Sequence, residues 1–161
     1  MRPLHPEGRP VRIHIPVTLR WGDLDAYNHV NNVEIFRLLE EARVRAFWAP
    51  ADPAEERLPS AVFEADASSL SLISGHRIEY LRPIDYQRAP LDVQLWFTRL
   101  SGARATIGYE VHSATGVLHA RATRTMVCVD GDGYRPRRMT AAEKSAWEPY
   151  LGEPVTFTGL S

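Results

Sequence analysis

Cysteine is almost missing from this chain: 161 residues contain one, Cys128. A lone thiol excludes an internal disulfide and a cysteine-based metal cluster, and its setting in "TMVCV" reads as a buried structural thiol. No eighteen apolar residues run together, and the positively charged start "MRPLHPEGRP" is not followed by an apolar segment. Neither a membrane span nor a secretory signal is therefore indicated, which predicts a cytoplasmic protein with no membrane partner. Net charge is missing as well, with 19 Lys and Arg against 20 Asp and Glu. Without an overall positive field, no nucleic-acid partner is expected. There are no internal repeats and no low-complexity segments. The length fits a single domain over 1–161, with 1–10 as a flexible arm.

What is present is patterning. In "VRIHIPVTLR" the apolar residues Val11, Ile13, Ile15, Val17 and Leu19 alternate with polar ones, as in a strand with one buried face. Pro16 lies on the polar side and removes a ladder donor, so this strand belongs at an edge or carries a bulge. From Asn32 to about Trp48 the period changes, and Ile35, Phe36, Leu39, Ala42 and Ala46 share one helical face. The start of this helix is marked by Asn31 as N-cap, Glu34 as capping-box partner, and Val30 with Ile35 as a hydrophobic staple. The prolines of "APADPAEERLPSA" then end it.

Alternation returns in four further strands. These hold Leu70, Leu72, Ile78 and Tyr80; then Leu91 to Phe97; then Ala105 to Val111; and finally Val117 to Val129. "SGA" and "ATG" are short enough for hairpins. Thr140 with Glu143 marks a short helix over 140–152. The expected class is α+β, a largely antiparallel sheet of about five strands wrapped around one long helix. Its outer face and edges would be covered by another copy of the chain.

Between the first strand and the helix stands "WGDLDAYNHVNN", residues 21–32, with two carboxylates, a histidine and three asparagines. A helix N-terminus offers unpaired N–H groups and partial positive charge, so it can stabilise an oxyanion that develops during acyl transfer. Asp25 is near enough along the chain to activate water or to attack the same carbonyl. The bland alternative is that Asp and Asn simply build a strand-to-helix corner. Asp23 fits such a hydrogen-bonding role, and Glu40 fits an ion pair with Arg43 or Arg37. His112 and His119 could face each other across a hairpin, but no third ligand accompanies them, so no metal site is expected.

The segments "VTLRWGDLDAYNHVNNVEIFRLLEEAR", "IEYLRPI" and "ARATRTMVCVD" resemble the hot-dog-fold acyl-CoA thioesterases of the 4-hydroxybenzoyl-CoA thioesterase-like family, over about residues 10–139. The resemblance implies a five-stranded antiparallel sheet around the helix and a homodimer or homotetramer with the site at a subunit interface. It implies hydrolysis of an acyl-CoA substrate without a metal or other cofactor. Asp25 matches the family's catalytic aspartate, the backbone N–H of Asn32 the amide that polarises the carbonyl, and His29 the histidine of a "GHVNN" subgroup. Asn28 stands where many relatives have glycine, and asparagine tolerates the left-handed backbone such a turn needs. Val30 and Asn31 flank the carbonyl. Arg82 and Arg88 are candidates for the coenzyme's phosphates, beside Arg77, Arg135, Arg137 and Arg138. Phe36, Phe47, Trp48 and the proline-rich connection are candidates for the pocket floor. Two other readings remain: a hot-dog dehydratase acting on acyl-CoA or acyl-carrier protein, which would need a carboxylate partner for His29, and a non-catalytic acyl-CoA-binding module.

Overall fold

The alternating residues near the start of the chain form an edge strand, β1 (Ile13–Val17), whose one sheet neighbour among the described residues is β3 (Leu91–Ser101). Pro16 is exposed opposite Asp92, where a missing ladder donor costs least. This computed structural model describes residues 11–64 and 69–159, so the expected arm over 1–10 lies outside the described residues. The sheet continues through β4 (Arg104–His112) and β5 (Leu118–Asp130) to β2 (Ser69–Tyr80), in the order β1-β3-β4-β5-β2, with every pairing antiparallel. Gly102 and Gly116, at φ +61° and +86°, supply the left-handed residues of the two hairpins.

Asn31 caps α1 (Asn32–Phe47), its side chain accepting from the Val33 amide at 3.0 Å. Glu34 does not complete a capping box. Its carboxylate accepts instead from Arg37 Nε at 2.6 Å and lies 3.6 Å from Arg20, because two guanidinium groups outcompete a neutral amide. Ile35, Leu38, Leu39, Ala42, Ala46 and Phe47 of α1 share one core with Leu91, Val93, Leu95, Phe97, Ile107 and Tyr109 of the sheet. Each fully buried side chain of this kind contributes about 2 kcal/mol over leaving it in water. The helical content is not gathered into one long helix. It is divided between α1, with 16 residues, α2 (Ala141–Trp147), with 7, and single 3-10 turns at Trp21–Asp23 and Glu148–Tyr150. Pro50 and Pro53 follow too closely for α1 to extend. Thr140 and Glu143 cap α2 reciprocally, and its Trp147 stacks on Phe97 at 5.0 Å.

Two further expectations are corrected. Leu70, Leu72, Ile78 and Tyr80 do not share a buried face, since the register shifts between Ile73 and Gly75, and Leu72 is 46% exposed. One extra residue in a strand exchanges its faces, and the sequence alternation on either side hides this. The outer face of the sheet is also not left for a second copy alone, because residues 152–159 run across it.

Candidate active site

The corner is built by a buried carboxylate. The Asp23 side chain has no exposed surface and accepts from the Arg20 amide at 2.8 Å, from Arg20 Nη2 at 2.9 Å and from Arg37 Nη2 at 2.8 Å. Burial pushes its pKa up, but the Arg20 hydrogen bonds and the Arg37 charge outweigh this and hold it below the ordinary aspartate value of 3.8. Its carbonyl takes the Asn31 amide at 2.8 Å, so the residue before the turn is tied to the helix cap after it.

Between these anchors Leu24 and Val30 form an antiparallel bridge, and residues 25–29 make a tight turn. The Asp25 amide donates to the His29 carbonyl at 2.8 Å and the Asn28 amide to the Asp25 carbonyl at 3.0 Å. Asp25 Oδ1 accepts the Tyr27 amide at 2.8 Å and the His29 amide at 3.4 Å. Asn28 sits at φ +61°, the left-handed conformation expected of it. One oxygen of Asp25 thus stabilises its own turn, and Oδ2 has no donor among the described residues. At the helix start, Val33 and Ile35 donate to the side chain and carbonyl of Asn31, while the amide of Asn32 has no acceptor among the described residues. The Asn32 carbonyl accepts from Tyr80 Oη at 3.2 Å.

Asp25, Asn28, His29, Val30, Asn31 and Asn32 are therefore brought onto one turn and the first turn of α1, with Val30 buried in the core. Arg82 and Arg88 are exposed on the connection between β2 and β3. That connection runs along the same corner, where the Val30 amide donates to the Ile84 carbonyl at 2.9 Å and His29 bridges Asp85. Asp85 was missed by sequence reading. Its Oδ1 lies 3.5 Å from His29 Nε2, and no spacing signals a partner 56 positions away. Tyr80 was missed for the same reason.

Exposed aromatic and aliphatic groups surround the corner: Trp21, Tyr27, Val33, Tyr80 and Tyr86, with Trp21 and Tyr86 edge to face at 5.4 Å. The pocket-floor candidates separate. Phe36 packs on His76 at 4.5 Å, Phe47 is a core residue, and Trp48 lines a groove of about 430 Å³ with Pro16, Val44 and Leu58. That groove lies at the far end of α1, about 24 Å from Asn32 at 1.5 Å per residue. Glu40 pairs with Arg43 and with Arg124 of β5, which also donates to the Phe36 carbonyl at 3.0 Å. Burial of Glu40 is outweighed by these two cations, and its carboxyl stays below the ordinary range.

Burial, with Glu143 nearby, pushes the Cys128 thiol up to about 11 and leaves it inert at neutral pH. His112 is occupied by Glu110 at 2.9 Å and His119 by the Arg82 carbonyl at 3.3 Å. Among the described residues no group of three His, Cys, Asp or Glu side chains is placed to hold a metal ion. No helix there is long and apolar enough to cross a membrane.

A profile of the thioesterase-like superfamily matches residues 19–151. The chain belongs to this superfamily. Its five-stranded antiparallel sheet is that of hot-dog thioesterases, and the solved structures similar to it agree. A predicted thioesterase from Bacillus stearothermophilus is 18% identical, with a TM-score of 0.70 over 90% of this chain and 100% of that one. SAV2348 of Staphylococcus aureus, solved in complex with CoA, is 12% identical, with a TM-score of 0.72 over 94% and 91%. YneP of Bacillus subtilis strain 168, a candidate acyl-CoA thioesterase, is 28% identical over 67 residues, 42% of this chain. The match spans about half, 48%, of YneP.

Proposed function

We propose that this chain hydrolyses the thioester of an acyl-CoA to a free acid and coenzyme A, in the manner of the 4-hydroxybenzoyl-CoA thioesterase-like branch. The observation that carries the reading is the pairing of an unclaimed amide at the start of α1, on Asn32, with the Asp25 turn fastened beside it through Asp23 and Asn31. The thioester carbonyl accepts from the Asn32 N–H, so negative charge developing on its oxygen meets a fixed donor and the helix's positive end. Asp25 Oδ2 either takes a proton from water as the water oxygen attacks the carbonyl carbon, or attacks that carbon itself to give a mixed anhydride, which a water molecule then hydrolyses to the free acid and the restored Asp25 carboxylate. In both routes the C–S bond breaks and the coenzyme A sulfur leaves as thiolate and is then protonated. Neither route calls on a metal or cofactor. His29, between Asp25 and Asp85, positions the turn, and the exposed Arg82 and Arg88 supply positive charge for the coenzyme's phosphates.

The apolar groups exposed around the corner support a site completed by a second subunit in a homodimer or homotetramer. A cytoplasmic location belongs to the same reading. The test is release of free coenzyme A over a panel of short, long and aromatic acyl-CoAs. A melting temperature raised by acyl-CoA, with no thiol released from any of them, would instead make the chain a binding module. After a single turnover in heavy-oxygen water, label in the Asp25 side chain excludes the general-base route.

A further inference from the structure

Residues 152–159 follow the stretch matched by the superfamily and cross the outer face of the sheet over four strands in spatial order. At β3 the Gly152 amide donates to the Phe97 carbonyl at 2.7 Å, and Trp96 Nε1 donates to the Glu153 carbonyl at 2.8 Å. At β4 the segment passes Gly108, where a Cβ would stand 2.6 Å from Trp96 Cε2 and 3.0 Å from Val155 Cγ2. Gly108 thus leaves the dent in which the Trp96 indole lies flat, and Gly152, whose own Cβ would meet Trp96 Cδ1 at 2.8 Å, closes over it. At β5 Arg121 Nη1 donates to the Thr156 carbonyl. At β2 the Arg77 guanidinium stacks on Phe157 at 4.2 Å, and the Thr158 amide donates to Glu79 at 2.9 Å.

We propose that this strap is an intramolecular cover over a self-association surface, and that the occupant it excludes is a second copy of this chain. The strap is held chiefly by bonds to side chains rather than by a backbone ladder, so it can lift without opening the sheet. It also fits imperfectly. A cavity of about 290 Å³ remains beneath it, and Glu79 Oε1 and Arg121 Nε, 3.7 Å apart, are buried without hydrogen-bond partners.

The surface beneath is built to meet itself. Across the sheet, from the β1 side to β2, it presents Arg12, Glu110, Arg121 and Glu79, with the Trp96 ring beside them. The signs read plus, minus, plus, minus, and a copy turned about a two-fold axis reads the reverse, so every charge faces its opposite. The Trp96 indole, 4.0 Å from Arg12 at the β1 side of this row, adds apolar area, and the opposed charges fix the register of the contact. With the strap down, assembly is confined to the sheet edges.

The experiment measures mass by light scattering after size exclusion, over one range of concentrations, for the full chain, a chain ending at Leu151, and Gly152→Val in the full chain. Both variants are expected to show a discrete species of about twice the full chain's mass. Trp96→Ala, added to the shortened chain, returns the mass to that of the full chain. Unchanged mass in a folded shortened chain and in Gly152→Val overturns the proposal, and so does aggregation without a discrete doubled species. If the shortened chain fails to fold by circular dichroism, Gly152→Val decides alone.

Discussion

Arg37 Nη2 of α1 donates to Asp23 Oδ1 at 2.8 Å, across fourteen positions of sequence, and this bond fastens the helix to the turn that carries Asp25. The same carboxylate accepts three bonds from Arg20, so the corner is organised by a group that takes no part in the proposed chemistry. Asp23→Asn removes the buried charge that both arginines address. Hydrogen bonds to charged groups contribute about 1.5–3 kcal/mol each, and partial compensation by the amide should leave a loss of about 2 kcal/mol in urea unfolding. Arg37→Ala, at a half-exposed side chain, is expected to cost less than about 1 kcal/mol.

Asp23 and Glu40 both have folded-state pKa values below their ordinary ones, so their contribution to stability is complete above the ordinary carboxylate range. It declines as pH falls through the lowered folded values. Melting temperature should therefore hold steady between pH 7 and pH 5 on their account and drop below about pH 4. Asp23→Asn should flatten that acid limb in a series of thermal melts.

Asp25→Asn keeps an oxygen to accept the Tyr27 and His29 amides, so the turn should survive, with a melting temperature within a few degrees of the original. Loss of a positioned general base lowers turnover by about 10²–10⁴-fold. Measured with the acyl-CoA that is hydrolysed fastest, kcat should fall by that much while KM changes little. Near-normal kcat would remove Asp25 from its proposed role.

Asn28 holds the turn at φ +61°, where glycine is free of strain and a β-branched residue is not. Asn28→Gly is expected to leave unfolding free energy within about 0.5 kcal/mol of the original. Asn28→Val should cost about 1–2 kcal/mol in the same denaturant titration, the penalty of a left-handed backbone for a β-branched residue that lacks asparagine's short polar side chain.

By itself the sequence determined everything that depends on near neighbours. Period-2 alternation and capping residues placed β1, α1, the later strands and α2, since strand faces and helix ends are decided within a few residues of chain. Asn31 was legible as a cap for the same reason, and the left-handed backbone of Asn28 followed from the resemblance, which puts glycine at that position; the structure has both. Only the tertiary structure decided the rest. Glu34 stood at the capping-box position by spacing, yet its carboxylate is taken by Arg37 one turn along the same helix and lies near Arg20 from the segment before it, because guanidinium charge outcompetes a neutral backbone amide. The β2 bulge reverses the faces of Leu72 and Tyr80 while leaving the alternation intact on each side. Asp85 beside His29, Tyr80 on the Asn32 carbonyl and the strap over Trp96 are pairings made by folding. Their partners lie 56, 48 and 57 positions apart, and no local pattern encodes contacts at that range.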